Sequence, residues 1–296
     1  MARTHLGKLF VADFSSKRIL TDKLRMHVLE WAGAEPPIVF LHHFTGNSLS
    51  ALTLGELLAG KRRLIAPDLR GRGQSDMPAG DYGIALHVKD VMTCLDRMGV
   101  DQFVAAGHSF GATISLFMAA QYPQRVSGLI LFDGGAMPSE EAIQFFEGYY
   151  DTLQYRYESD AAYVARYRNA PLYQPWTDAL ERLVRSNLYQ QPDGTFIRRV
   201  PRYVLDADRR SEQLETWKGL PELYPQVACP VLVLRAEMGI MGVEDQLLPD
   251  PVIATMQAGM PTSTVVTIMG AGHTSLLTIP SRERDEAILN FLGLSS

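Results

Sequence analysis

The 296-residue sequence contains only two cysteines, Cys94 and Cys229. Two cysteines do not form a disulfide framework or a cysteine-rich metal site, and a reducing, cytoplasmic compartment is the simplest expectation. The longest run of basic residues is Lys61-Arg62-Arg63, and the formal net charge is −5. The sequence therefore lacks the basic stripe of a nucleic-acid-binding protein, and we expect no nucleic-acid partner.

Long apolar runs are also missing. The strongly apolar stretches, such as Val231–Leu234, have the length of β-strands and are far shorter than a membrane-spanning helix. Residues 1–14 lack an apolar core followed by a small-residue cleavage site, so we predict no secretion signal there but an extra strand or arm. The composition, 46% apolar and 21% charged, is that of an ordinary globular protein. We expect no membrane partner.

Short apolar runs alternate with longer amphipathic stretches, a pattern that indicates parallel strands joined by helices. From residue 137 to 224 this pattern stops, and polar and aromatic segments of helical character replace it. We predict a doubly wound, mostly parallel sheet flanked by helices, formed by residues 1–136 and 225–296, with residues 137–224 inserted as a helical cap. The predicted strands are 37–41, 63–66, 102–106, 128–132, 230–234 and 263–268, and the predicted helices in this core are 84–98, 111–121 and 283–292.

The clearest motif is Gly107-His108-Ser109-Phe110-Gly111, which lies between a predicted strand and a predicted helix. A serine on such a tight turn projects its hydroxyl above the sheet, and the flanking glycines avoid clashes with neighbouring backbone. The N-terminus of the following helix adds positive potential where an oxyanion would form. Ser109 is therefore the candidate nucleophile; the alternative is a glycine-flanked turn with a serine that does no chemistry.

With this motif the sequence resembles the α/β-hydrolase superfamily, in the capped branch that contains serine esterases and carbon–carbon hydrolases. The resemblance covers roughly residues 24–135 and 226–294, and it implies an eight-stranded, mostly parallel sheet. It also implies that His273 is the catalytic base and that the backbone N–H groups of Phe44 and Phe110 form the oxyanion hole. The supporting segments, in the order that the superfamily uses, are Leu41–Gly46, Pro67–Asp76, the Ser109 turn and Gly270–His273. Within the second segment we expect Asp68, Arg70 and Asp76 to form a structural network.

The third member of a catalytic triad is a carboxylate that orients the histidine. Most relatives place an Asp in the loop after the seventh strand, but Gly239 occupies that position here. Some relatives place the acid at the end of the preceding strand, where this chain has Asp133. We therefore assign Asp133 as the acid, with Glu237 and then Asp245 as alternatives. The non-catalytic interpretation is that Asp133 is a turn residue before Gly134-Gly135.

The candidate substrate-binding residues come from the same loops and from the cap. His42-His43 stands where the superfamily commonly has His-Gly, so His43 narrows the pocket, contacts substrate or points to solvent. The aromatic residues of the cap are suited to roof a pocket for an apolar or aromatic group, although most of them serve equally well as packing residues. Arg166, Arg168 and Arg185 either meet a substrate carboxylate or lie on solvated helix faces. The predicted binding residues are His42, His43, His108, Phe145, Tyr149 and Trp176.

A serine nucleophile argues against haloalkane dehalogenase or epoxide hydrolase activity, because those relatives use Asp at this position. The remaining chemistry is acyl transfer to water, and the first expectation is a serine hydrolase that cleaves a carboxylic ester or lactone. The alternatives are a carbon–carbon hydrolase of the meta-cleavage type and a ligand receptor without turnover. We expect a small-molecule substrate, no cofactor, no metal, and a monomer or homodimer.

Overall fold

The computed structural model describes residues 13–22, 24–170, 173–210, 213–240, 245–279 and 281–294. The expected arm or strand at residues 1–14 therefore lies mostly outside the described residues. The strands are β1 Phe14–Leu20, β2 Arg25–Trp31, β3 Ala34–Leu41, β4 Arg62–Pro67, β5 Phe103–His108, β6 Val126–Phe132, β7 Leu188–Gln190, β8 Phe196–Arg198, β9 Val231–Ala236 and β10 Ser263–Ile268.

Eight of these strands form one sheet in the order β1-β2-β4-β3-β5-β6-β9-β10. The β1–β2 and β2–β4 pairs are antiparallel, and all the other neighbours in the sheet are parallel. The predicted mostly parallel eight-stranded sheet is confirmed.

No helix in the described ranges is long and apolar enough to span a membrane. The helices are α1 Leu52–Leu58, α2 Ile84–Arg97, α3 Phe110–Gln121, α4 Glu140–Asp151, α5 Asp160–Arg168, α6 Asp178–Ser186, α7 Arg202–Arg210, α8 Gln213–Lys218, α9 Leu220–Leu223, α10 Asp250–Gly259, α11 Ser275–Thr278 and α12 Arg282–Phe291.

The central strands are apolar on both faces because helices cover both faces of the sheet. In β3, Val39 and Leu41 pack into one hydrophobic cluster, while Ile38 and Phe40 pack into the other. Successive residues of a strand point to opposite faces, so a continuous apolar run is what a strand buried on both sides requires. This burial makes the centre of the sheet a rigid platform for the loops that follow its strands.

The strand order brings three distant parts of the chain to one edge of the sheet. Ser109 follows β5, Asp133 follows the adjacent strand β6, and His273 lies in the loop after β10. Because these strands are parallel, their carboxyl ends lie at the same edge, where open α/β sheets bind ligands. Residues that are up to 164 positions apart in sequence therefore lie at the same edge, and Asp133 and His273, 140 positions apart, are in hydrogen-bond contact.

The segment between β6 and β9, which we call the insert (residues 137–224), is not wholly helical. It contains helices α4–α9 and also an antiparallel hairpin, β7–β8. The sequence indicated only segments of helical character here, because strands of three residues are too short to show an alternating pattern. The hairpin matters for the site because its second strand ends at Arg198.

A buried ion pair joins the insert to the sheet domain. Asp208 of α7 forms an ion pair with the guanidinium of Arg72, with Nη1 2.5 Å from Oδ2, and its Oδ1 accepts a hydrogen bond from the backbone N–H of Gly83 at 2.8 Å. The His87 ring nitrogen Nε2 lies 3.0 Å from the same carboxylate. Although burial acts in the opposite direction, His87 and Arg72 hold the pKa of Asp208 below its usual range. The carboxylate is therefore charged inside the protein, where Arg72 supplies its countercharge.

We predict that Asp208→Asn lowers the free energy of unfolding by about 3–5 kcal/mol, because it leaves the buried guanidinium of Arg72 without its countercharge. The matched control is Asp206→Asn on the same helix, where the carboxylate is partly exposed and pairs with Arg202. That change should cost less than about 1 kcal/mol. Urea unfolding followed by circular dichroism measures both values, and equal losses in the two variants would contradict the structural role of Asp208.

Candidate active site

The Ser109 turn has the strained geometry that the sequence motif predicts. Ser109 has φ of 55° and ψ of −115°, a conformation that side-chain-bearing residues rarely adopt. A Cβ on Gly111 would lie 2.0 Å from the carbonyl oxygen of Leu41, and a Cβ on Gly107 would lie 2.2 Å from the carbonyl of Gly111. Glycine at both positions is therefore required for helix α3 to pack closely against strands β3 and β5.

Asp133 and His273 form a buried hydrogen-bonded pair. The Oδ2 atom of Asp133 lies 2.8 Å from Nδ1 of His273, and its Oδ1 atom accepts a hydrogen bond from the backbone N–H of Ala236 at 3.1 Å. Asp133 is 1% exposed and His273 6% exposed. The backbone of Asp133 has φ of 44°, so the residue that carries this carboxylate is strained, as Ser109 is. The contact fixes the Nδ1 side of the imidazole and leaves Nε2 for other partners.

Neither alternative acid has this contact. The Oε2 atom of Glu237 accepts a hydrogen bond from the backbone N–H of Gly270 at 2.6 Å, and Asp245 accepts one from Ile240. The usual acid position, Gly239, has no room for a side chain, since a Cβ there would lie 2.0 Å from the carbonyl oxygen of Asp245. Its carbonyl oxygen instead accepts the backbone N–H of His273 at 3.0 Å.

His108 and His43 pack beside His273. The ring of His108 lies 4.6 Å from that of His273, centre to centre, and its Nε2–H donates a 2.9 Å hydrogen bond to the His273 carbonyl oxygen. The ring of His43 packs edge-on against His108 at 5.5 Å. Burial, together with the neighbouring histidines, lowers the pKa of His43 and His108 well below the usual value. Both rings are therefore neutral and form the wall of the site around His273.

The two residues predicted to form the oxyanion hole, Phe44 and Phe110, both line the same cavity as Ser109. Phe110 is the first residue of α3, so its N–H has no acceptor within the helix. No described residue accepts a hydrogen bond from the N–H of Phe110 or of Phe44. Arg72 fixes both residues: its Nε–H donates to the Phe44 carbonyl oxygen at 3.1 Å, and its guanidinium lies 5.0 Å and 5.9 Å from the centres of the Phe44 and Phe110 rings.

One cavity adjoins these groups, and its atom-free space, including the open mouth, is about 1160 Å³. Ser109, His273, Phe44 and Phe110 line it on the side of the sheet, and the insert supplies a largely aromatic wall. Of the predicted substrate-binding residues, His43, His108, Phe145 and Tyr149 line the cavity. The insert residues among the lining are Pro138, Phe145, Phe146, Tyr149, Tyr150, Tyr163, Tyr167, Tyr173, Leu180, Leu183, Val184, Asn187, Arg198 and Trp217.

The remaining two predicted binding residues lie elsewhere. The ring of His42 is buried behind the site, where Nδ1–H donates to the His43 carbonyl oxygen at 2.8 Å and Nε2 accepts the N–H of Leu69 at 3.1 Å. Burial lowers its pKa to about 4, so His42 is a neutral structural bridge between two loops. Trp176 packs within the insert and donates its Nε1–H to Glu181 at 3.1 Å. Neither side chain is among the described residues that line the cavity.

The Pro67–Asp76 segment forms the structural network expected of it. Asp68 accepts hydrogen bonds from the backbone N–H groups of Ser48 and Gln74 and lies 2.7 Å from His27. Arg70 pairs with buried Asp90. These contacts hold the loop that carries Arg72, and through Arg72 they support Phe44 and Phe110.

The arginines singled out in the sequence lie outside the cavity. Arg168 and Arg185 pair with Glu181 at the surface, and Arg166 lies over the exposed ring of Tyr155. Sequence reasoning missed Arg198, which is 5% exposed and lines the cavity. The only signal in the sequence is its place beside the apolar residue Ile197 in a segment too short to identify as a strand.

Comparison with known proteins agrees with this architecture. Residues 36–280 match the family described as the alpha/beta hydrolase fold. An uncharacterized protein of Mycobacterium tuberculosis is 28% identical over 265 residues, which cover 85% of this chain and 74% of that protein. The 2-(acetamidomethylene)succinate hydrolase of Mesorhizobium japonicum is 26% identical over 268 residues, 88% of this chain and 89% of its own. Epoxide hydrolase 3 of Siraitia grosvenorii is 34% identical, but over only 44% of this chain and 42% of its own.

Solved structures extend the agreement to three dimensions. The crystal structure of E-2-(acetamidomethylene)succinate hydrolase superposes with a TM-score of 0.81 at 26% identity, covering 95% of this chain and 100% of that chain. An alpha/beta hydrolase from Novosphingobium aromaticivorans superposes with a TM-score of 0.79 at 24% identity, covering 96% of this chain and 99% of that chain. With the family match spanning most of the sequence and the eight-stranded sheet in place, this chain belongs to the alpha/beta hydrolase fold family.

Proposed function

We propose that this chain is a serine hydrolase that cleaves a carboxylic ester or lactone through an acyl-enzyme on Ser109. The observation that carries the proposal is the buried hydrogen bond between Asp133 and Nδ1 of His273, in the wall of a cavity that Ser109 also lines. A serine hydroxyl needs an adjacent base to become a nucleophile, and a histidine needs a carboxylate to keep the correct tautomer and to stabilise its charged form. These residues supply all three roles.

The first half of the reaction forms the acyl-enzyme. Nε2 of His273 takes the proton of the Ser109 hydroxyl as the oxygen attacks the substrate carbonyl, and Asp133 stabilises the imidazolium that results. The N–H groups of Phe44 and Phe110 donate to the oxyanion of the tetrahedral intermediate. The intermediate collapses when His273 gives its proton to the leaving alcohol oxygen, which leaves the acyl group on Ser109.

The second half repeats these steps with water in place of the alcohol. His273 takes a proton from the water as it attacks the acyl carbon, and it returns a proton to Ser109 as the carboxylic acid leaves. In this account the insert is a cap over the site, and its aromatic wall restricts water while the acyl-enzyme forms. The neutral rings of His43 and His108 add no positive charge beside His273, so they do not oppose its protonation during each step.

Ser109 at the turn after β5 favours ester or lactone cleavage over the epoxide and haloalkane reactions of some relatives. Epoxide hydrolases and haloalkane dehalogenases, which use Asp there, match this chain over less than half of its length. One relative that matches over most of the chain is named for a substituted succinate, a small carboxylic acid derivative. A small acyl compound is accordingly the substrate class that we propose.

We predict that the wild-type protein releases p-nitrophenol steadily from short p-nitrophenyl esters and that Ser109→Ala lowers kcat by about 10⁴-fold or more, because the nucleophile is lost. The matched control is Ser115→Ala on the same helix, since Ser115 is fully buried, has no hydrogen-bond partner for its hydroxyl and does not line the cavity. That variant should keep its activity. Release that stops after a single turnover of the wild-type protein would indicate a ligand receptor instead.

We further predict that Asp133→Asn lowers kcat by about 10⁴-fold while Glu237→Gln leaves it nearly unchanged. The Asn side chain is the same size but carries no negative charge, so it cannot stabilise the imidazolium of His273. Steady-state kinetics with p-nitrophenyl butyrate and a thermal unfolding curve for each variant separate loss of catalysis from loss of fold. A large loss in a folded Glu237→Gln variant, with Asp133→Asn still active, would overturn the assignment of the acid.

A further inference from the structure

The cavity carries one full positive charge and no acidic group among its described lining residues. Arg198 is the one Lys or Arg in that lining, and no Asp or Glu is part of it. The neighbouring residues of the wall are aromatic, aliphatic or hydroxyl-bearing, apart from Asn187, the neutral rings of His43 and His108, and His273. A ligand in this cavity therefore meets a positive field from the insert.

The guanidinium of Arg198 is buried without a countercharge. It donates to the hydroxyl oxygen of Tyr149 and, at 3.1 Å, to that of Tyr167, while its Nε atom has no hydrogen-bond partner among the described residues. None of the described acidic residues forms an ion pair with it. A buried charge that is solvated only by neutral hydroxyls is costly, and an arriving anion removes that cost.

The insert does not lack acidic residues, because four of its other arginines pair with them. Arg156 pairs with Asp193, Arg168 and Arg185 pair with Glu181, and Arg202 pairs with Asp206. Those pairs lie at the surface, whereas Arg198 faces the cavity. Arg198 therefore lacks a countercharge although the insert has acidic residues that pair with other arginines.

The hydroxyl groups around Arg198 complete a site for an anion. Burial raises the pKa of Tyr167 and Tyr173 well above the usual value, so both hydroxyls keep their protons and can donate. Although burial acts in the opposite direction, the charge of Arg198 lowers the pKa of Tyr149. The hydroxyl of Thr45, the residue next to Phe44, also lowers the pKa of Tyr149.

We propose that Arg198, with the hydroxyls of Tyr149 and Tyr167, binds a free carboxylate of the substrate while Ser109 attacks a second, esterified carboxyl group of the same molecule. A guanidinium matches a carboxylate because its fork of N–H groups meets both oxygens. The substrate class is therefore a half-ester or lactone of a dicarboxylic acid, and this inference rests on the proposed hydrolase function.

Pairs of substrates that differ only in charge test the proposal on the wild-type protein. Monomethyl and dimethyl esters of succinic, glutaric and adipic acid are compared by the rate of methanol release in proton NMR spectra. At the best chain length, kcat/KM for the monomethyl ester should exceed that for the dimethyl ester by about 10- to 100-fold, the effect expected of a hydrogen bond to a charged group. If the dimethyl ester is cleaved as well as the monomethyl ester at all three lengths, the proposal fails.

Variants assign the preference to Arg198. Arg198→Met should reduce the ratio of the two kcat/KM values about 10-fold or more, and Arg198→Lys should restore part of it because a positive charge returns without the fork. The matched control is Arg199→Met, because Arg199 bonds the Ser186 carbonyl oxygen, lies over Tyr189 and is not part of the cavity wall. It should keep the wild-type ratio. An equal fall in both Met variants would overturn the assignment to Arg198.

Binding to a catalytically inactive variant separates this proposal from the proposed function. Calorimetry with glutarate and Ser109→Ala protein should show binding that Ser109→Ala/Arg198→Met protein lacks. Binding that depends on Arg198, in a protein that cleaves no ester, would leave the anion site standing and overturn the hydrolase proposal. Cleavage of neutral esters without glutarate binding and without a preference for half-esters would leave the hydrolase and overturn the anion site.

Discussion

The arrangement of the site depends on the 2.8 Å hydrogen bond between the Asp133 carboxylate and Nδ1 of His273. This contact exists because β5, β6 and β10 are parallel strands of one sheet, whose carboxyl ends meet at one edge. It also selects Asp133 as the partner of His273 over Glu237, which bonds the backbone of Gly270, and over position 239, which has no room for a side chain. With Nδ1 of His273 bonded to Asp133, Nε2 is the ring nitrogen left for another partner.

The groups gathered around the cavity, from this edge and from the insert, are ones that lower the stability of a protein. Ser109 and Asp133 have strained backbones, His43 and His108 are buried as neutral rings, and Arg198 is buried without a countercharge. Such features persist only where the surrounding structure holds them firmly. Here the strands that are buried on both faces support the site from beneath. The ion pair of Arg72 with Asp208 supports it from the side, where it joins the sheet domain to the insert.

The sequence predicted the features that a local pattern determines. It did not predict which side chains line the cavity, because burial in the folded protein determines that. The glycine-flanked turn at Ser109 and the run of apolar strands each follow from short-range sterics and periodicity, so the fold could be predicted. His42 and Trp176 were expected in the pocket, but nothing in the sequence shows which side of a loop or helix cluster a ring faces. Arg198 was missed for the same reason, because its isolation from acidic residues is a property of the folded cavity.

The account rests on a serine made nucleophilic by a histidine from the far end of the chain, and a covalent probe measures this directly. Treatment with diethyl p-nitrophenyl phosphate, followed by peptide mass spectrometry, should find one diethylphosphoryl group on Ser109, and the rate of labelling should fall by orders of magnitude in a folded His273→Gln variant. No label on Ser109, or a labelling rate that the loss of His273 leaves unchanged, would contradict the account.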